Sequence, residues 1–287
     1  MPTEIKITTL CENNTPYPAN GVLGEHGLAM LLEVDSQRIL FDTGGGATLL
    51  HNSRILGVDL KTIDALVLSH GHYDHTGGLE TLLKEYAGPL NIYAHPDIFI
   101  AKYHLLEGNE QKYIGIPRTR KELENLGARF HLSREPRALA EGLLLMGEIP
   151  RGEKEEDQPI KTLCRQNPDG TLVPDPFYDD QAILVESPLG VIVLLGCTHS
   201  GLINTLRYAT KLTGKEQIYA LIGGTHLVAA SEGRLDYTLR ELEKFDLQVV
   251  APCHCTGFYA AAAFYQAFKD RFVYNSAGQT FSFGGEI

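Results

Sequence analysis

Apolar and polar positions alternate in short bursts through the first seventy residues. Ile5-Lys6-Ile7 opens the pattern, and the apolar stretches 27–34 and 38–41 flank Asp35-Ser36-Gln37, a spacing that predicts a β-hairpin. The run 38–41 leads into Asp42 and Gly44-Gly45-Gly46, and the run 65–69 leads into His70. Two predicted strands therefore end in polar residues at loops, the positions where folds usually carry their chemistry. Helical spacing over 76–86 stops at Gly88-Pro89 before a strand at 90–94. The second half repeats this plan. Strands at 182–186 and 191–195 surround the turn 187–190, then a helix over 202–212 precedes a strand at 219–222. A helix over about 235–244, a strand at 247–251 and an Ala-rich helix over 259–269 complete it. Two similar β-rich halves with outer helices predict a layered α/β sandwich.

Residues 101–170 break the pattern. They hold a charged, helix-like stretch at 119–126, strand-like text at 143–146, few long apolar runs, and the acidic run Glu153-Lys154-Glu155-Glu156-Asp157. The segment reads as an insertion forming a small subdomain or lid within one domain spanning 1–287. Its 12 Lys+Arg balance its 12 Asp+Glu, so the other 217 residues carry the whole formal charge of −11. An anionic substrate would find its least repulsive surface there.

Composition narrows the class. With 43% hydrophobic and 21% charged residues among 287, the chain can bury a large core and has the make-up of a globular protein. The net charge argues against a nucleic-acid partner, because neutralising phosphates needs a basic surface. No stretch approaches the roughly 18 apolar residues of a membrane span, and the N-terminus has no basic, then apolar, leader. A cytoplasmic protein is expected, with its five scattered cysteines reduced. The pattern carries no signal for an oligomeric state.

The chemistry concentrates in His70-x-His72-x-Asp74-His75, four potential ligands within six residues at a strand end. Neutral imidazole and carboxylate suit zinc or another divalent first-row metal, with Asp74 as ligand or as an orienting group. His199, His226 and His254 also follow apolar runs, so four strand ends deliver an imidazole. No Gly-x-Ser-x-Gly elbow is present, and Gly44-Gly45-Gly46 lacks the spacing of a dinucleotide or phosphate loop. Cys253 and Cys255 alternate with His254 along an extended chain and are expected to face away from it as packing thiols.

These residues resemble the metallo-β-lactamase superfamily, whose signature is His-x-His-x-Asp-His after a strand with an Asp at an earlier strand end, here Asp42. Six further stretches (25–27, 147–151, 180–181, 196–201, 223–227 and 252–257) look like the subgroup named for 7,8-dihydropterin-6-methyl-4-(β-D-ribofuranosyl)aminobenzene 5'-phosphate synthase. The resemblance implies a four-layer αββα sandwich with two divalent ions along one edge. Zinc is the first expectation, iron or manganese the alternatives. It implies one ion on His70, His72 and His199 and the other on Asp74, His75 and His254. Where many members carry a bridging Asp, this chain has Cys197, expected as a structural thiol rather than a ligand.

Two divalent ions about 3.5–4 Å apart activate water and clamp attacking and leaving oxygens, so no separate nucleophilic side chain is needed. Asp74 is expected to orient or accept a proton. Asp42 and Glu25 are candidates to hydrogen-bond the ligating histidines. His226 is assigned to substrate binding or transition-state stabilisation, and Arg151 to phosphate. The expected activity is a metal-dependent hydrolase acting on an ester or phosphoester of a small anionic, pterin-like molecule. The alternatives are a transferase releasing pyrophosphate at the same metals, and a di-iron redox protein.

Overall fold

The computed structural model describes residues 2–156 and 160–284; Asp157, which ends the acidic run, lies outside them. Seven strands form one sheet, ordered Thr280–Gly284, Glu4–Cys11, Ala29–Val34, Gln37–Phe41, Ala65–Val67, Leu90–Ala94 and Ala128–Leu132. Six form a second, ordered Val249–Cys253, Ile218–Gly224, Gly190–Leu195, Ile183–Ser187, Leu143–Leu145 and Arg137–Ala140. The predicted hairpin is present: Ala29–Val34 pairs with Gln37–Phe41 around Asp35-Ser36, with Asp35 in the left-handed region at φ 49°.

Period-two alternation sorts the side chains into layers. Met30 and Leu32 enter a central core with Ile192 and Leu194, the face where the two sheets meet. Their neighbours Ala29 and Leu31 point the other way, against the helix Leu79–Tyr86 through Leu79, Leu82 and Leu83. Val191, Val193 and Leu195 pack outward on the helices Leu202–Thr213 and Phe258–Phe268, through Leu202, Leu206 and Phe264. Helices thus cover both outer faces of two stacked sheets, the four-layer α/β sandwich predicted from sequence. Among the described residues, no helix is long and apolar enough to cross a membrane.

The stretch 101–170 is not uniform. Ala128–Leu132 joins the first large sheet, and Arg137–Ala140 and Leu143–Leu145 join the second. Lys102–Leu105, Gln111–Tyr113 and Leu163–Gln166 form a separate four-stranded sheet with Leu172–Pro174. The two sandwich sheets also fix where chemistry can gather. Gln37–Phe41 runs parallel to Ala65–Val67, and Gly190–Leu195, Ile218–Gly224 and Val249–Cys253 run parallel to one another. Within each set the C-terminal strand ends therefore share one edge.

Candidate metal centre

Asp42, His70, His199, His226 and His254 all lie just past the C-terminal end of a strand. Several of these ends leave the strand through a left-handed residue: Asp42 at φ 62°, Thr198 at 57°, His226 at 50° and His254 at 53°. Such backbone costs of order 1–3 kcal/mol per non-glycine residue and persists where packing over-determines it, typically at functional sites. The two sheet edges meet where a Cβ on Gly196 would come within 2.4 Å of Ser69 Cβ and Oγ. Only glycine permits that approach, which brings Cys197 down onto the His70–His75 loop.

The six expected ligands converge. His70 Nε2 lies 3.1 Å from His72 Nδ1, and the His199 ring sits 4.8 Å from that of His70 and 5.0 Å from that of His72, centroid to centroid. His75 Nε2 and His254 Nε2 are 3.2 Å apart, and Asp74 Oδ2 is 3.2 Å from His254 Nε2. Cys197 Sγ stands 3.1 Å from His75 Nε2 and groups both with His70 and His199 and with His75 and His254. It occupies the middle of the cluster.

Electrostatics divides the cluster in two. Burial pushes His72 down to about 3 and takes His70 and His199 well below the ordinary histidine value. Neutral imidazoles keep their lone pairs for a ligand. For His75, burial is outweighed by the Asp42 and Asp74 carboxylates, which push it up to about 9. Asp74 is held well below the usual carboxylate range: burial would raise it, but His75, His254 and His26 beside it prevail.

Orphaned atoms indicate what the cluster is for. Among the described residues, both ring nitrogens of the half-buried His199 and Nδ1 of His226 are buried atoms with no hydrogen-bond partner. A buried polar atom without a partner costs about 1–3 kcal/mol, so such atoms on imidazole point to an electrophile. The donor set of imidazole, carboxylate and thiol fits divalent first-row metals. His226 stands beside this set, its ring 4.1 Å from that of His199.

Partners of the ligands were only partly legible. Asp42 Oδ2 lies 2.7 Å from His75 Nδ1 and accepts from Ser69 Oγ at 2.6 Å, while Oδ1 accepts from Ser69 N. Glu25 does not reach the histidines. Its Oε2 accepts from Ala47 N at 2.7 Å and its Oε1 is buried without a hydrogen-bond partner among the described residues, so it braces the 44–47 loop instead. That role near His254 belongs to Glu12 and Asn13, at the end of the first strand. Glu12 Oε1 accepts from His254 N at 2.6 Å, and Asn13 Oδ1 lies 2.9 Å from His254 Nδ1. Both are polar residues after a strand, the signal that singled out Asp42. Arg151 donates through Nη2 to Pro176 O and lines a cavity of about 920 Å³.

Cys253 faces the central core, as its alternation predicts. Cys255 does not face away: the strand ends at Cys253, and His254–Thr256 form a 3₁₀ turn rather than extended chain. Cys255 Sγ accordingly accepts from His226 N at 3.3 Å and groups with Cys197 and His226.

Comparison with known proteins places this geometry. The family model of the metallo-β-lactamase superfamily matches residues 23–254. The 7,8-dihydropterin-6-methyl-4-(β-D-ribofuranosyl)-aminobenzene-5'-phosphate synthase of Methanocaldococcus jannaschii is 35% identical, over 97% of this chain and 97% of that protein. A crystal structure of a metal-dependent hydrolase of the β-lactamase superfamily is 28% identical with a TM-score of 0.81, covering 98% of this chain and 100% of that one. A diphosphatase of the PhnP family shares the fold at 14% identity, with a TM-score of 0.55 over 99% and 98% of the two chains. End-to-end identity, a family match across both metal-bearing halves, and a fold that implies divalent metal binding agree with the ligand cluster: the chain belongs to the metallo-β-lactamase superfamily and is one of its enzymes.

Proposed function

We propose that the chain is a metal-dependent transferase that joins a 7,8-dihydropterin-6-methyl group to a 4-(β-D-ribofuranosyl)aminobenzene 5'-phosphate, with pyrophosphate as the leaving group. The observation that carries transfer over hydrolysis is the 35% identity, along 97% of both chains, to a synthase of that name. It favours the alternative reading of the sequence over the leading one. Hydrolysis of a phosphoester is the second reading, supported by the 28% identical metal-dependent hydrolase.

His70, His72 and His199 would hold one divalent ion, and Asp74, His75 and His254 the other. Zinc is the first expectation, with iron or manganese as alternatives. Ions bound there would supply Lewis acidity and stabilise negative charge on the departing oxygens. The chain's own residues do the rest. The cavity of about 920 Å³ opens from Thr198, His199 and His226, and its size suits a small-molecule substrate. His226, with Nδ1 unpartnered, offers a hydrogen bond to substrate or transition state. Arg151 on the cavity wall binds the phosphate. Asp74 Oδ2, shared between His254 and His26 at 3.2 and 3.3 Å, orients or accepts a proton. Ile160, Pro174 and Tyr178 line the same cavity, so the small sheet and its flanks act as a lid over the metal edge.

The test supplies the metal-loaded protein with the dihydropterin-6-methyl diphosphate, with and without the ribofuranosylaminobenzene phosphate. Pyrophosphate release that requires the arylamine supports transfer, and release without it means hydrolysis. No release of phosphate or pyrophosphate from either mixture overturns both. His226→Ala should lower the rate about 100–1,000-fold, the range of a lost transition-state hydrogen bond, while metal content is unchanged.

A further inference from the structure

Lys102 is the only lysine among the fully buried large side chains of the described residues, at 2% exposure. It lies in the first strand of the small sheet, yet its ammonium reaches the metal edge. Nζ donates to Asp175 Oδ2 at 2.6 Å and to Asp179 Oδ1 at 3.0 Å, both carboxylates being buried. Each carboxylate spends its other oxygen on one backbone N–H. Asp179 Oδ2 accepts from Gly71 N at 2.8 Å, the residue between His70 and His72. Asp175 Oδ1 accepts from Phe177 N at 2.8 Å. Phe177, itself left-handed at φ 51°, lies flat on His199 with ring centroids 3.9 Å apart and planes 5° from parallel. The ammonium also sits 5.2 Å from the centre of that phenyl ring.

One ammonium thus ties together two arms that end on the three histidines of the first ligand trio. A charge this deep is expensive and persists where its partners satisfy it. Burial would pull the Lys102 ammonium down, but the two carboxylates hold it above the ordinary lysine value. The second trio has different supports, Asp42, Glu12 and Asn13 from the first sheet.

We propose that Lys102, Asp175 and Asp179 are positioning residues, a buried clamp through which the small sheet sets the affinity of the cation site formed by His70, His72 and His199. The clamp rests on the metal-centre reading given above. It leaves the second site independent.

Chelator-stripped protein is titrated with cobalt(II), following the visible ligand-field absorption and the metal per chain, with circular dichroism recorded on each metal-free variant. The unaltered protein should bind two equivalents. Lys102→Met should weaken one of them at least tenfold and leave the other within twofold, with the dichroism unchanged. In a His254→Ala background Lys102→Met should remove the remaining strong site, whereas in a His199→Ala background it should have no further effect. Asp179→Asn keeps the side-chain volume and should show the same selectivity, so it carries the test if Lys102→Met does not fold. Folded variants that bind both ions as tightly as the unaltered chain overturn the clamp. Equal weakening of both sites also overturns it, in favour of a merely structural role. Absence of binding by the unaltered protein overturns the metal-centre reading itself, and the clamp with it.

Discussion

Asp180 illustrates what a single buried atom can cost. Its Oδ2 accepts from Ser200 N at 2.8 Å, but its Oδ1 is buried with no hydrogen-bond partner among the described residues. Burial pushes the group up to about 6, although the Ser200 N–H and the Arg151 charge work against the rise. An unfolded aspartate titrates near 3.9, so the folded state holds its proton over a wider range than the unfolded chain. The contribution to stability is therefore full below about pH 4 and is lost as pH rises through about 6, amounting to roughly 3 kcal/mol at neutrality. Asp180→Asn keeps an acceptor for Ser200 and carries no charge to bury. In chelator-treated protein the variant should match the parent at pH 4 and exceed it by about 1–3 kcal/mol at pH 7.5, read from urea unfolding. An equal gap at both pH values would show that burial of the carboxylate is not the cause. Asp42 was legible because it follows an apolar run at a strand end. Lys102, Asp175 and Asp179 were not: they are joined across 73 and 77 positions by ion pairs, which leave no period in the sequence.

At the scale of elements, the alternation in 29–34 and 191–195 announced the sheets because each face meets a different layer. The same logic failed at Cys255, where the chain turns and period two no longer holds. Helix starts were read from apolar spacing, which met the observed start at 202 but placed the next helix at about 235, three residues late. Ser231 caps Glu232–Leu242 by accepting from Arg234 N. The helix Leu202–Thr213 starts at Gly201, which has no side chain to cap with, and takes its cap from far away: Glu156 Oε1 accepts from Ile203 N at 3.0 Å and Oε2 from Asn204 N at 2.8 Å. A carboxylate there satisfies two orphan donors and opposes the positive end of the helix dipole. It also pairs with Arg234 at 3.1 Å. Glu156→Ala should therefore lower stability by about 2 kcal/mol, the sum of a lost cap and a weakened, partly screened ion pair, and Glu156→Gln by about half that. Urea midpoints read this directly, and an unchanged midpoint for Glu156→Ala would mean the helix start is held by packing alone. Because His199 precedes this helix by only three residues, the loss should also reach the cavity.

At the scale of the whole molecule, the candidate ligand cluster is the seam where two separately layered halves meet. His70, His72, Asp74 and His75 come from the first sheet, and Cys197, His199 and His254 from the second. A cation bound across that seam cross-links the halves. Ligand binding to the folded state alone adds about 4 kcal/mol when the free ligand is 1,000-fold above its dissociation constant. In a chain of this size each kcal/mol moves the melting temperature by roughly 2–4 °C, so losing two such ions to a chelator should lower it by on the order of 20 °C. The loss is larger than the bare binding term if chelation leaves the two ring nitrogens of His199 buried and unsatisfied, since among the described residues they have no hydrogen-bond partner. His199→Ala removes those nitrogens together with one ligand. Its melting temperature should therefore respond to chelation by about half as much as the parent's, because one site persists, and its metal-free form should be no less stable than the metal-free parent. Calorimetry of both proteins, with and without chelator, separates the two effects. A parent insensitive to chelation would mean that the seam is held by hydrogen bonds and packing alone and that the imidazoles are not ligands.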